Sequence, residues 1–258
     1  MEVREIQSIA LNILNDVHLF CIEHHLKYYL FRGTLLGAIR HDGFIPWDDD
    51  VDIAMPREDY EEFIKLYNQE DRKYKLISRE DSNYVYPFAK VYDPDYPIKE
   101  RARFDCHIGI YIDIYPLDSF PEEETAIRNM EKHLWNYKML WSGVTNISNL
   151  NSKSICKKVL SRFFTQKRVN RMIVSFEKYA GKTTEKSRYR NYFVAFSIKK
   201  RKIKWFDIDD FEPVLHKFEN GNYYIPCGAH NVLKVLYGDY MVLPPEEERK
   251  PKHSFSVL

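Results

Sequence analysis

At 258 residues, with 44 % hydrophobic and 30 % charged residues, the chain has the make-up of a globular protein able to bury one large core, which excludes a disordered or fibrous class. Its formal net charge of +1 hides an uneven distribution: residues 153–204 hold seventeen Lys or Arg against two acids, Glu177 and Glu185, so the rest is acidic. No apolar run reaches the ~18 residues that span a bilayer. The first residues, MEVREIQSIALNILND, carry acids from the second position and no signal-peptide cleavage pattern, so a cytoplasmic protein is expected.

Residues 4–25 place Ile6, Ile9, Ile13, Val17 and Phe20 at helical spacing, an amphipathic helix whose last residues, His24 and His25, read as helix-end groups. Cys21, Cys106, Cys156 and Cys227 are scattered and form no Cys-x-x-Cys, which argues for a reducing compartment and against a zinc knuckle or disulfide framework. The 19 Tyr, 16 Phe and 4 Trp are read mainly as core.

The apolar run Tyr28–Phe31 reads as a strand and ends at Arg32-Gly33-Thr34. Leu35 to Ile39, then Arg40 and His41, lead to a turn through Gly43 and Pro46 and to Trp47-Asp48-Asp49-Asp50-Val51-Asp52-Ile53-Ala54. A strand over Val51–Met55 would turn Asp48, Asp50 and Asp52 to one face and Val51 and Ile53 to the core. Carboxylates two apart on such a face lie roughly 6–7 Å apart and can close on one divalent cation, Mg²⁺ or Mn²⁺, which prefer hard oxygen ligands. Without a counter-charge they repel and lose solvation. An acidic turn facing water is the bland alternative.

Pro56 stands at a helix start, and Tyr60, Phe63, Ile64 and Tyr67 form the stripe of that helix. Strands are expected over Tyr74–Ser78 and Val85–Tyr92, with Lys90 near the end of the second. Ile108 to Tyr115 alternates: four isoleucines face one side, and Gly109, Tyr111, Asp113 and Tyr115 the other. Asp113 in so apolar a strand must be paired or metal-bound. A helix over Pro121–Trp141, a polar connection over Gly143–Ser152 and two basic helices around Ile155–Phe163 and Met172–Phe176 follow. Their cationic faces suit an anionic membrane or polyanionic acceptor, or are simply solvated. No nucleic-acid reading motif accompanies the charge, and no nucleic-acid partner is expected. Glu219-Asn220-Gly221-Asn222 reads as a hairpin turn centred on Asn-Gly, and a short helix over Ala229–Leu236 stops before Gly238.

A Gly-Thr after a strand followed by an Asp-x-Asp strand resembles the nucleotidyltransferase fold. The run GTLLGAIRHDGFIPWDDDVDIAMPREDY resembles the LicD family, which includes bacterial phosphocholine transferases and, more distantly, fukutin-related protein. The strand at 108–118, whose Pro116-Leu117-Asp118 looks like the family's strand exit with Asp118 capping a turn, and the segment IPCGAHNVLKVLYGDYMVLPPEEERKPKH, with its late His253, extend the likeness. It implies an α+β fold, a nucleotidyltransferase-like mixed β-sheet flanked by helices with a basic helical annex. Residues 1–145 would form the catalytic core, 146–205 the basic segment, and 206–258 a hairpin and helix completing the catalytic domain.

The resemblance also implies roles. Asp50 and Asp52 would hold the metal, Asp113 would share it or accept a proton, and Asp48 would orient the group. Gly33 and Thr34 would receive a phosphate, Arg40 would clamp the diphosphate, and Lys90 would contact phosphate. The donor would be CDP-linked, with CDP-choline favoured. The acceptor would be a sugar hydroxyl of a cell-surface glycan precursor (teichoic acid, lipopolysaccharide or capsule), lipid-linked at the inner face of the membrane, and CMP would leave. Tyr111, Tyr115 or Trp47 would cage the trimethylammonium group. A nucleotidyltransferase acting on a nucleoside triphosphate, and an inactive binding module of the same fold, remain alternatives.

Overall fold

The computed structural model of the chain describes residues 1–99, 106–120, 123–125, 128–129, 165–181, 189–191, 205–251 and 256–257. Helix α1 (Val3–Glu23) follows the apolar spacing and buries Ile6, Ala10, Ile13, Leu14, Val17, Phe20 and Cys21. Its end is where the histidines were expected: His24 caps the last turn and contacts Glu70 at 2.8 Å, and His25 takes a φ of 56°.

Next come β1 (Tyr29–Leu30), α2 (Arg32–His41), β2 (Asp52–Pro56), α3 (Arg57–Tyr67), β3 (Lys75–Ile77), β4 (Ala89–Lys99) and β5 (Gly109–Phe120). The main path of the sheet is β1-β2-β5-β4-β10, where β10 is Ser256–Val257. Only β2 and β5 run parallel on this path; the other pairs are antiparallel, so the sheet is mixed and helices flank it. The parallel register sets Asp52 opposite Asp113 and Ile53 opposite Ile114. Helix α1 packs on β4 and β5, and α3 on β2, β3 and β5. Phe20 of α1 meets Phe63 and Tyr67 of α3 edge to face, with ring centres 5.4 and 5.0 Å away.

Several boundaries differ from expectation for identifiable reasons. The β2 strand begins at Asp52, so Asp48 and Asp50 lie in the irregular approach rather than on the strand face. β4 begins at Ala89 rather than Val85, because Pro87 has no N–H for a ladder and Tyr84 instead closes a turn by donating to the Phe88 carbonyl at 2.5 Å. β4 then continues past Tyr92 through an irregularity between Asp93 and Pro97. Pro116-Leu117-Asp118, expected as a strand exit, stays in β5: Pro116 and Leu117 pair with Met55 and Pro56, and β6 (Tyr189–Asn191) pairs with Asp118 to Phe120. Asp118 is no turn cap; it takes a two-pronged clamp from Arg57 at 2.7 and 2.9 Å.

Helix α4 (Gln166–Gly181) and the strand β6 are described parts of the basic segment. Asn170 docks the helix by donating to the Arg79, Asp81 and Tyr84 carbonyls, while Lys167, Arg168 and Arg171 are exposed. The expected basic helix at 155–163, most of that at 121–141, the connection at 143–152, and His253 fall outside the described residues.

β7 (Phe206–Asp207) pairs with β6, and the hairpin β8 (Pro213–Phe218) and β9 (Gly221–Pro226) leads to α5 (Ala229–Tyr237). The hairpin turn is centred on Glu219-Asn220, one residue earlier than expected, since Phe218 pairs with Gly221. Glu219 accepts the positive φ of 55° because its carboxylate receives the Phe44 N–H at 2.8 Å, tying the turn to the end of α2. Among the described residues no helix is long and apolar enough to cross a membrane.

Candidate active site

The site grows from the crossing of β2 and β5. Asp52 opens β2, its N–H donating to Thr34 Oγ1 at 2.8 Å, while its carbonyl accepts from Phe31 N at 2.9 Å. Thr34 and Gly33 therefore sit in the first turn of α2, directly beside Asp52. A Cβ on Gly33 would come within 2.5 Å of Asp48 Oδ2, so glycine leaves room for that carboxylate. The approach loop is held by Gln7 of α1, whose amide donates to the Ile45 and Asp48 carbonyls at 3.2 and 2.7 Å. One oxygen each of Asp48, Asp49 and Asp50 lie within 4.8 Å of one another, the first two residues buried and Asp50 half-buried.

Asp52 is enclosed. Its Oδ2 accepts from Arg32 Nη1 at 3.2 Å, while Oδ1 is buried without a hydrogen-bond partner among the described residues. Burial drives the Asp52 carboxyl well above the usual carboxylate range; Arg32 opposes this, and Asp50, Asp113 and Asp48 add to it. On β5, Asp113 accepts from Lys90 Nζ at 2.6 Å through Oδ1 and from the Tyr115 hydroxyl at 3.0 Å through Oδ2. The Tyr115 phenol is likewise pushed far up, by burial and by Asp113 and Asp52, and so remains a donor. Lys90 is 2 % exposed rather than solvated, and its ammonium lies 3.4 Å from the Tyr111 ring centre, with Tyr86 and Phe88 close by.

The donor set fits a divalent cation. The orphaned buried oxygen of Asp52 stands beside three further carboxylates whose charge Arg32 only partly opposes, and hard oxygen donors are what Mg²⁺ or Mn²⁺ take.

The fold thus brings Gly33, Thr34, Asp48, Asp50, Asp52, Asp113 and Lys90 together. It does not bring Arg40. That residue lies at the far end of α2, about 12 Å along the axis from Arg32 at 1.5 Å per residue, and donates to the Tyr240 carbonyl at 2.7 Å. Nor do the three candidate cage rings converge. Tyr111 is faced by Lys90, the Tyr115 hydroxyl bridges Arg32 and Asp113, and Trp47 lies under Arg249 at 5.7 Å.

Three residues of the site escaped sequence reasoning, among them Asp49, which strand alternation would have turned away from Asp48 and Asp50. Gln7 was signalled only by a polar side chain on an otherwise apolar helix face. Arg32 was visible as the residue before Gly-Thr, with nothing to show its φ of 48°, a left-handed conformation costing a side-chain-bearing residue about 1–2 kcal/mol.

A mixed sheet with carboxylates paired across two parallel strands, and a helix beginning at Gly-Thr against them, defines a protein of nucleotidyltransferase fold. Residues 25–142 match the family described as LicD/FKTN/FKRP, nucleotidyltransferase domain. The chain is 32 % identical over 268 aligned positions to the lipopolysaccharide cholinephosphotransferase LicD of Haemophilus influenzae, covering 98 % of this chain and 96 % of that protein. It is also 30 % identical over 151 positions to an uncharacterised protein of Rickettsia typhi, covering 58 % of this chain and 47 % of that one. A stretch of 34 residues is 53 % identical to the human ribitol 5-phosphate transferase FKRP, covering 13 % of this chain and 7 % of that one. The chain belongs to the LicD family.

Proposed function

We propose that this chain is a metal-dependent transferase that moves a substituted phosphate, phosphocholine in the favoured case, from a CDP-linked donor to a sugar hydroxyl of a cell-surface glycan precursor, releasing CMP. The observation that carries this reading is the near end-to-end match to a cholinephosphotransferase of lipopolysaccharide, joined to a carboxylate cluster of the kind phosphoryl transfer requires.

Asp50 and Asp52 would hold a Mg²⁺ ion, with Asp48 turned toward the same group. When bound, the ion supplies charge neutralisation for the donor's phosphates. Gly33 and the N–H groups of the first turn of α2 would receive a phosphate oxygen. Thr34, already accepting from Asp52 N, holds that turn against β2. The acceptor hydroxyl attacks the distal phosphorus, an O–P bond forms, the bond to the CMP oxygen breaks, and the hydroxyl proton passes to a carboxylate. Asp113 suits that last role because Lys90 and Tyr115 fix both its oxygens, each of which keeps a second lone pair. The exposed Lys167, Arg168 and Arg171 of α4 support an acceptor held at an anionic membrane surface on the cytoplasmic side.

Mass spectrometry after parallel incubation with CDP-choline, CDP-ribitol, CDP-glycerol and CTP, with Mg²⁺ and a glycan acceptor, tests the reading. The expected products are CMP and a phosphocholine-bearing acceptor. Diphosphate from CTP, with a nucleotide left on the acceptor, would assign the chain to nucleotidyl transfer instead.

A further inference from the structure

Of the two cations bonded to the Asp52 and Asp113 carboxylates, Arg32 is the one held by a strained backbone. It opens α2 with a φ of 48°, a conformation that glycine adopts without strain and that side-chain-bearing residues avoid. A counter-charge for Asp52 alone could come from a neighbouring strand at no backbone strain, as Lys90 supplies it for Asp113. Strain of this sort persists where a side chain has to be held at one particular point.

That point is informative. Arg32 Nη1 donates both to Asp52 Oδ2 at 3.2 Å and to the Tyr115 hydroxyl at 2.8 Å, and the guanidinium carbon lies 5.3 Å from the Tyr115 ring centre. It therefore spans β2 and β5 at the position where Asp52 and Asp113 face each other. Its side chain is 31 % exposed, against 3 % for that of Asp52 and 2 % for that of Lys90. Arg32 is the cation of this group that reaches both the buried carboxylates and solvent. A guanidinium is permanently charged, and its planar fork matches two oxygens of one phosphate. An anion brought to the Asp52 side from solvent meets it first.

We infer that Arg32 is a further catalytic residue, whose guanidinium binds the phosphate of the CDP-linked donor at the mouth of the carboxylate cluster. The inference rests on the transferase reading above and gives Arg32 the phosphate-clamping role for which Arg40 lies at the wrong end of α2.

Calorimetric titration of the full chain in Mg²⁺ with CDP-choline and, separately, with cytidine tests it, using the wild type, Arg32→Gly and Arg32→Lys. Loss of a charge-assisted contact is expected to weaken CDP-choline binding by on the order of 10- to 100-fold in Arg32→Gly. Cytidine, which has no phosphate, should bind all three forms alike. Ligand-free Arg32→Gly should melt below the wild type, because it leaves the buried Asp52 carboxylate without its ion-pair partner and relief of the strained φ does not offset that, so the contrast between CDP-choline and cytidine is the readout. Arg32→Lys should lose affinity because an ammonium cannot fork. Equal CDP-choline affinity in the wild type and Arg32→Gly overturns the role of Arg32 and leaves the transferase reading standing. A wild type that binds CDP-choline no better than cytidine overturns both. If Arg32→Gly does not fold, Arg32→Lys decides: wild-type affinity there overturns the inference, and weakened CDP-choline binding with unchanged cytidine binding upholds it.

Discussion

Lys90 shows what one residue's surroundings add to its sequence reading. A lysine near the end of a strand is ordinarily solvated, yet this one is 2 % exposed, walled by Tyr86, Phe88 and Tyr111 and bonded to Asp113 at 2.6 Å. Removing one partner of a buried ion pair strands the other, which is worse than removing both. Lys90→Met is therefore expected to lower unfolding stability by roughly 3 kcal/mol, and adding Asp113→Asn should recover part of the loss. Urea denaturation of the single and double variants reads this directly. Asp113 was legible as a functional position, because a carboxylate among alternating isoleucines needs a partner. Its partner was not legible, since only the register that sets Lys90 opposite Asp113 supplies it.

Among the elements, β5 is the one on which the others are aligned. It pairs with β2 in parallel, with β4 and β6 in antiparallel fashion, and carries Asp113 in its middle. Its first residue, Gly109, lies where β4 departs from regular pairing, and a Cβ there would come 1.7 Å from the Asp93 carbonyl oxygen. Backbone cannot yield as the tip of a side chain can. Gly109→Ala should destabilise by about 3 kcal/mol, seen as a lowered urea midpoint with an unchanged slope. At the other end, the Arg57 clamp on Asp118 fixes α3 to β5 beyond the point where the sequence suggested an exit. The alternation of β5 was readable because its period is covalent. Its length was not, because pairing with β2 and β6 keeps Pro116 to Phe120 extended.

At the scale of the whole molecule, His18 joins three distant parts of the chain. From α1 its Nδ1 lies 2.6 Å from the Tyr28 hydroxyl, and its ring packs against Tyr223 and Tyr224 of β9. Burial holds its pKa below the ordinary 6.5. The unfolded chain therefore takes up this proton at a higher pH than the folded one, and stability falls with acidification from 6.5 down to the lowered folded value, levelling off beneath it. The His18 share of this fall should vanish in His18→Gln, measured as the difference in urea midpoint between neutral and mildly acidic buffer.

The amino-acid sequence by itself determined the amphipathic α1, the Gly-Thr helix start, the alternating strand with its lone aspartate, and the family to which these belong. Each is a local pattern whose period or turn chemistry is built into neighbouring residues. Only the tertiary structure decided that Asp48 and Asp50 approach β2 from a loop, that Asp52 and Asp113 face each other across a parallel pair, and that Arg40 points away while Arg32 points in. Those facts depend on strand register and on one positive φ, which arise from packing between segments far apart in the chain, and no local pattern encodes them.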